Sequence, residues 1–355
     1  MKRKQQHTFY FPFKGILLLL ALAFLTNCSN HKIEQVERAF YYWKSNRYLS
    51  ESEKALCDSL SVNKLYIKFF EVNYTKERGS FPEAKTNWWG RYSESKDTQT
   101  VVPTVYLRNA VFLYSTKPEL DMLADNVNFL ITKYFNERFA TNILMNEFQM
   151  DCDWTPKSKE NYFYFLKKLK AISAKQISCT LRLYPYKYAD KMGVPPVDKA
   201  TLMCYNLLSP LDQPNKNSIL DLEELESYLK VKDKYPLHLD LALPVYSWQQ
   251  VYQNERFTEL LYTNMEQLEP IVDKEKPFWY RVTKDTLINN VYLRVGDKLK
   301  YEETTAKTIK EAIDLLKKHV TFDTQTTVSL FHLDKEQLSN YSHEELRSFY
   351  TDFSK

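Results

Sequence analysis

The stretch Glu147-Phe148-Gln149-Met150-Asp151-Cys152-Asp153-Trp154-Thr155 decides how the chain folds. Glu147, Gln149, Asp151 and Asp153 share one face of an extended segment, while Phe148, Met150 and Cys152 share the other. A period of two is the signature of a strand. Apolar side chains on one face suit a covering layer of helices. Four polar side chains on the opposite face are costly to bury unless they meet partners. The interior of a closed parallel barrel, where such faces converge, satisfies both. Two neighbouring runs repeat the pattern. Ser178, Thr180, Arg182 and Tyr184 alternate with Cys179, Leu181 and Leu183, and His238, Asp240, Ala242, Tyr246 and Trp248 alternate with Leu237, Leu239, Leu241 and Leu243. In a further run, placing Cys204 outside with Cys152 and Cys179 turns Met203 and Tyr205 inward. One phase thus puts three cysteines in the apolar layer as buried thiols.

Working outward from this stretch, strand-like runs appear at 64–72, 100–108, 147–153, 176–184, 202–207, 237–245, 298–303 and 326–333. Helical spacing appears at 118–138, 157–171, 219–230 and 305–319, and before the first strand at 33–45 (Ile33, Val36, Phe40, Trp43) and 51–60. Strands separated by helices pair in parallel, and eight of them predict a (β/α)8 TIM barrel. The predicted barrel occupies 63–355, with an N-terminal helical segment within 28–62 and an insertion at about 249–297 between strands six and seven. That insertion is expected to hold a hairpin of 278–282 with 291–295.

Composition narrows the function. The chain has 355 residues, with 49 basic and 45 acidic side chains mixed along its length, which argues against nucleic-acid binding. Only 5 glycines are present, with no G-x-G-x-x-G or Walker pattern, and the 6 histidines are scattered, so neither a cofactor nor a metal is expected. At the N-terminus, Lys2, Arg3 and Lys4 precede an apolar run from Gly15 to Leu25, too short to span a bilayer as a mature helix. The run ends in Leu25-Thr26-Asn27-Cys28, which resembles the lipobox of bacterial lipoproteins, with Asn27 in place of the usual small residue. The resemblance implies a signal peptide over 1–27, lipidation of Cys28, and a mature protein anchored to a membrane in the bacterial envelope. No acidic run follows Cys28, so a periplasm-facing orientation is preferred.

In a parallel barrel, functional side chains project from the C-terminal ends of the strands. There Asp151-Cys152-Asp153-Trp154-Thr155 resembles the D-x-D-x-E core of the chitinase-like (family 18) glycoside hydrolases, and Met203-Cys204-Tyr205-Asn206 is similar to their M-x-Y-D strand. The stretch from about Lys64 to Asp334 also resembles a group of bacterial lipoproteins with a glycosidase-type barrel. The resemblance implies that Asp153 and Tyr205 orient a substrate acetamido group. Thr155 stands at the proton-donor position and Asn206 replaces the second motif's Asp. A threonine cannot serve as a general acid near neutral pH. Asp151 and Asp153, about 6.6 Å apart along a strand, are the first candidate carboxylates. Glu71, Glu302 and Glu303 are the other strand-end candidates. Alternatively, Asp151 and Asp240 pair with Arg182 and His238 in a buried network. Trp88, Trp89, Trp154, Tyr184, Tyr246 and Trp248 are expected to ring the same mouth, with Arg182, Tyr205 and Asn206 completing a surface for sugar rings. Two functions fit: a tethered glycosidase, or a barrel that has lost catalysis and binds glycan or scaffolds an envelope assembly.

The N-terminal reading has a direct test. A radiolabelled fatty acid fed to expressing bacteria should mark the wild-type protein and leave Cys28→Ala unlabelled; equal labelling of both would refute it.

Overall fold

The computed structural model describes residues 33–44, 48–86, 99–212 and 214–355. Eight parallel strands close on themselves: β1 (Gln35–Tyr42), β2 (Lys64–Thr75), β3 (Gln99–Leu107), β4 (Glu147–Asp151), β5 (Gln176–Arg182), β6 (Lys199–Met203), β7 (His238–Pro244) and β8 (Gln325–Phe331). Each pairs with the next, and β8 returns to β1 through the register Gln35↔Gln325 to Phe40↔Leu330. Around them lie α1 (Glu51–Ser59), α2 (Lys117–Arg138), α3 (Lys159–Ser173), α4 (Leu222–Leu229), α5 (Ala306–His319) and α6 (His343–Thr351). Local chemistry starts and stops these helices. Ser50 and Glu53 form a capping box on α1, and Lys317, Lys318 and His319 sit in the last turn of α5, where the helix dipole favours cations. The (β/α)8 barrel expected from the strand pattern is therefore the fold. After β2 the described chain turns back as a strand, Gly79–Glu83, antiparallel to β2.

Two assignments within that count need correcting. The segment at 33–45 is not a helix but holds strand β1. Phe40 and Tyr42 pack outward with the helix layer, and Ala39 and Tyr41 pack inward, so both faces are apolar and the period-two signal vanishes. The run at 298–303 is not a barrel strand. It is the central strand of an antiparallel sheet, ordered 256–261, 247–253, 298–303, 279–282 and 272–276, that stands between β7 and α5. The segment at 279–282 pairs with 272–276 and 298–303, and 291–293 pairs with 286–288, in place of the expected hairpin. The strand expected at 147–153 ends at Asp151, and that at 176–184 gives way at Leu183 to a short helix.

The phase read from alternation holds. Phe148, Met150, Cys152, Cys179, Leu181 and Cys204 lie in the apolar layer between strands and helices, and all four described cysteines are buried free thiols. Inside, the floor of the barrel is ionic. Glu147 meets Lys199 at 2.9 Å and Lys64 at 3.3 Å and accepts a hydrogen bond from Ser178 at 2.6 Å. Lys64 also pairs with Glu37 at 2.9 Å, and Lys199 with Asp240 at 2.8 Å. Asp240 accepts from the Thr327 backbone at 2.8 Å and contacts His238 at 3.2 Å; His238 reaches Asp323 at 2.7 Å. Burial alone would raise the Asp240 pKa, but Lys199, His238 and Lys64 outweigh it and hold the group well below the usual carboxylate range. Above this floor, Tyr41 donates to the Gln149 side chain at 2.8 Å, and Gln149 donates to Thr201 at 3.0 Å.

Removing one partner from such a floor leaves buried charge uncompensated. Lys199→Met should cost about 3–5 kcal/mol at pH 7, read from urea midpoints. Without Lys199, the foremost of the charges that hold the Asp240 pKa down, Asp240 would take up a proton more readily when folded, so the deficit should shrink as the pH falls to 4.5. A deficit under about 1 kcal/mol at pH 7, the range of exposed ion pairs, would show that the floor is not a coupled network.

Candidate functional site

The inward phase of β4 carries Asp151 to the mouth of the barrel and leaves Asp153 in the loop beyond. Thr180, on β5, donates to Asp151 at 2.6 Å. Asp153 is clasped by Arg182, with Nε to Oδ1 at 2.8 Å and Nη2 to Oδ2 at 3.3 Å, a two-pronged arrangement that fixes both planes. Arg182 also donates through Nη1 to the Tyr205 carbonyl at 3.4 Å. Arg182 therefore pairs with Asp153 and not with Asp151. Burial is the main cause that pushes the Asp151 pKa up to about 6; Asp153 and Glu71 add to it, while the Thr180 bond and Arg182 oppose it. Asp240 and Asp151 are both inward carboxylates shifted in opposite directions, because the first faces lysines and the second a hydroxyl. Asp151 is thus the less compensated of the two inward carboxylates.

Aromatic rings wall the mouth. Tyr205 stacks on Phe331 with centroids 4.9 Å apart, Trp43 meets Phe331 at 5.8 Å, and Tyr246 lies 5.8 Å from Phe331 and 5.6 Å from Trp248. Two cavities open among them. One, of about 190 Å3, lies over Asp151 and Asp153 and is bounded by Tyr106, Arg182, Met203 and Tyr205. The other, of about 510 Å3, is bounded by Tyr246, Trp248, Tyr262, His332, Asp334, Glu336 and Gln337. Trp43, Asn206 and Phe331 line both, so the two form one cleft across the C-terminal face. Asn206 takes a left-handed backbone conformation, φ 52°, which Asn tolerates better than most residues, and accepts a 2.6 Å bond from the Tyr246 hydroxyl.

The cleft thus gathers Asp151, Asp153, Arg182, Tyr205, Asn206, Tyr246 and Trp248. Other candidates fall elsewhere. Glu71 pairs with Lys68 at 2.8 Å and Arg108 at 3.3 Å and lines neither cavity. Glu302 is wholly buried and saturated: it accepts from the Ser218 backbone and hydroxyl, Trp248 and Gln250, and pairs with Lys300 at 2.8 Å. Its role there is to hold the insertion against the barrel. Glu303 is exposed and receives the Tyr301 hydroxyl at 3.1 Å. Trp154 packs beneath α3 against Tyr162 and donates to the Met192 carbonyl at 3.2 Å. Tyr184 sits on the outer surface beside Tyr188. Thr155 shares a hydrogen bond with Ser158 at the start of α3. Cys28, Trp88 and Trp89 lie outside the described residues. Trp43, Phe331 and His332 also line the cleft: Trp43 follows β1, which helical spacing disguises in the sequence, and Phe331 and His332 lie at the end of β8.

Such a cleft offers apolar faces for sugar rings and a few fixed polar groups for their hydroxyls. Its chemical reach is narrower. Asp151 and Asp153 come from one chain segment, Asp153 is committed to Arg182, and a glycosidase needs two carboxyls flanking the scissile bond. Among the described residues over the smaller cavity, Asp151, its pKa pushed up to about 6 by burial, is the group placed to exchange a proton. Among the described residues no three His, Cys, Asp or Glu side chains converge as metal ligands, and no helix is long and apolar enough to cross a membrane.

The raised Asp151 pKa means that ionising it in the folded protein costs stability. Asp151→Asn keeps the acceptor for Thr180 without the charge. It should therefore be more stable than the wild type at pH 8, by roughly 1–3 kcal/mol, with the gap closing as the pH falls from about 6 through the unfolded-state value. Denaturation midpoints across that range measure it; a variant less stable at pH 8 would show Asp151 to be a structural anchor.

No protein-family model and no curated protein matches the chain. Among solved structures it is similar to the spore cortex-lytic enzyme SleL of Bacillus cereus, at 14% identity over 87% of this chain and 75% of that one, with a TM-score of 0.47. It is also similar to the xylanase and alpha-amylase inhibitor protein XAIP-II of Scadoxus multiflorus, at 10% identity over 90% and 98% with a TM-score of 0.42. A third is the catalytic domain of a hyperthermophilic chitinase of Pyrococcus furiosus, at 10% over 91% and 97% with a TM-score of 0.40.

Proposed function

We propose that this chain is a lipid-anchored protein of the bacterial envelope, tethered through Cys28 and facing the periplasm, whose barrel mouth binds a glycan without cleaving it efficiently. The observation that carries the reading is the cleft itself. Tyr205, Phe331, Trp43, Tyr246 and Trp248 form a continuous aromatic wall, opposite which the Asp153–Arg182 pair and Asp151 present fixed hydrogen-bonding groups. Stacking supplies affinity for the apolar faces of the rings, and the paired charges, held by each other, discriminate hydroxyl positions. The absence of a second free carboxyl over the smaller cavity among the described residues favours binding over hydrolysis.

A second reading, slow hydrolysis, is favoured by one observation: Asp151 is held near the pKa of a working general acid. The two are separated by experiment. In a glycan array followed by calorimetry, the wild type should bind at least one envelope-type oligosaccharide. Asp153→Asn and Trp43→Ala should each weaken that binding by about 1–3 kcal/mol, as expected for losing a charged hydrogen-bonding partner or a covered aromatic face. Product release below pH 6 that disappears in Asp151→Asn would establish the hydrolytic reading. A folded protein that binds no glycan at all would exclude both.

A further inference from the structure

The larger cavity differs in chemistry from the smaller one. Arg182 faces the smaller cavity, whereas among the described residues no lysine or arginine lines the larger. The charged groups lining the larger are both carboxylates, Asp334 and Glu336, just past the end of β8. Asp334 is partly neutralised by Lys44 at 2.6 Å and caps the short helix that follows. The Glu336 carboxylate is exposed and has no hydrogen-bond or ion-pair partner among the described residues.

Two further observations bear on what this cavity can hold. His332 lines it with its ring, while Nδ1 is turned away into the protein and presents no group to the cavity. Burial pushes its pKa down to about 4, against the pull of Asp334, so the ring is neutral and does not repel a cation. The lining is aromatic, a continuous run of Trp43, Phe331, Tyr246 and Trp248, and such faces attract ammonium groups through their π-electron density.

We infer that the larger cavity is a subsite for a hexosamine residue whose amino group is free, its ammonium directed to Glu336 and Asp334 beside the aromatic wall. A sugar bearing a carboxylate, phosphate or sulfate would meet like charge there and be disfavoured. The inference rests on the glycan reading of the mouth and adds to it the charge class of one sugar residue.

The test compares two tetrasaccharides of the same β-1,4-linked backbone, one fully N-acetylated and one fully de-N-acetylated, titrated into the full chain by calorimetry at pH 6. The free-amine tetramer should bind about three- to thirtyfold more tightly in 20 mM salt, the range an exposed ion pair and a cation–π contact together supply. Raising the salt to 0.5 M should erode the advantage through screening. Glu336→Gln, an exposed change whose thermal midpoint should stay within a degree or so of wild type given so few contacts, should narrow the gap between the two tetramers by at least half. Equal affinities, a preference for the acetylated tetramer, or an advantage untouched by Glu336→Gln would each overturn the subsite while leaving the glycan reading in place. Failure of the folded protein to bind either tetramer or any other oligosaccharide would overturn both.

Discussion

The structure depends on Glu147, a carboxylate at the floor of a closed barrel, held between Lys64 and Lys199. A barrel that turns polar faces inward can close only if each buried charge is answered there, because a side chain largely withdrawn from solvent loses most of its hydration. The answer weakens from floor to mouth. Glu147 and Asp240 have lysines, and Asp153 has one arginine at the rim. Asp151 accepts from a threonine hydroxyl. The floor therefore supplies stability, and Asp151 keeps a residual electrostatic cost that protonation relieves.

This division explains why strand phase was legible in the sequence while roles were not. Alternation along 147–153, 176–182 and 237–243 identified inward side chains correctly, since each of these strands sets polar against apolar on its two faces. It failed at β1, where Ala39 and Tyr41 inside and Phe40 and Tyr42 outside are all buried and apolar. That failure concealed Trp43 and displaced the strand count by one. The run at 298–303 supplied the missing eighth strand on paper, because Leu299, Tyr301 and the charges between them alternate as well as any barrel strand does. Only its neighbours, 247–253 and 279–282, reveal an antiparallel sheet.

Partners explain the remaining differences. An acidic residue near a strand end reads the same in sequence whether it is free or engaged. Glu302 is engaged fully, by Ser218, Trp248, Gln250 and Lys300, and Glu71 is engaged by Lys68 and Arg108. Trp154 follows the Asp pair immediately, yet the chain has left the strand by then and the indole turns under α3. A tryptophan one residue past an inward position belongs to the outer layer by the same period-two rule, and Cys152 had already marked that layer.

The Glu302 contacts carry a consequence for how this protein can diversify. The carboxylate joins the insertion to the β6–α4 loop through Ser218 and at the same time supports Trp248 in the wall of the cleft. Exchange of the entire insertion for a foreign one would remove the acceptor for a buried backbone amide of the barrel and loosen the wall together. The outer hairpin of 286–288 and 291–293 has no such tie to the barrel; Leu287 and Tyr292 are exposed on it, and Val291 and Leu293 pack within the insertion's own core. Changes to that hairpin therefore stay within the insertion, whereas exchange of the strand at 298–303 reaches the barrel and the cleft wall at once.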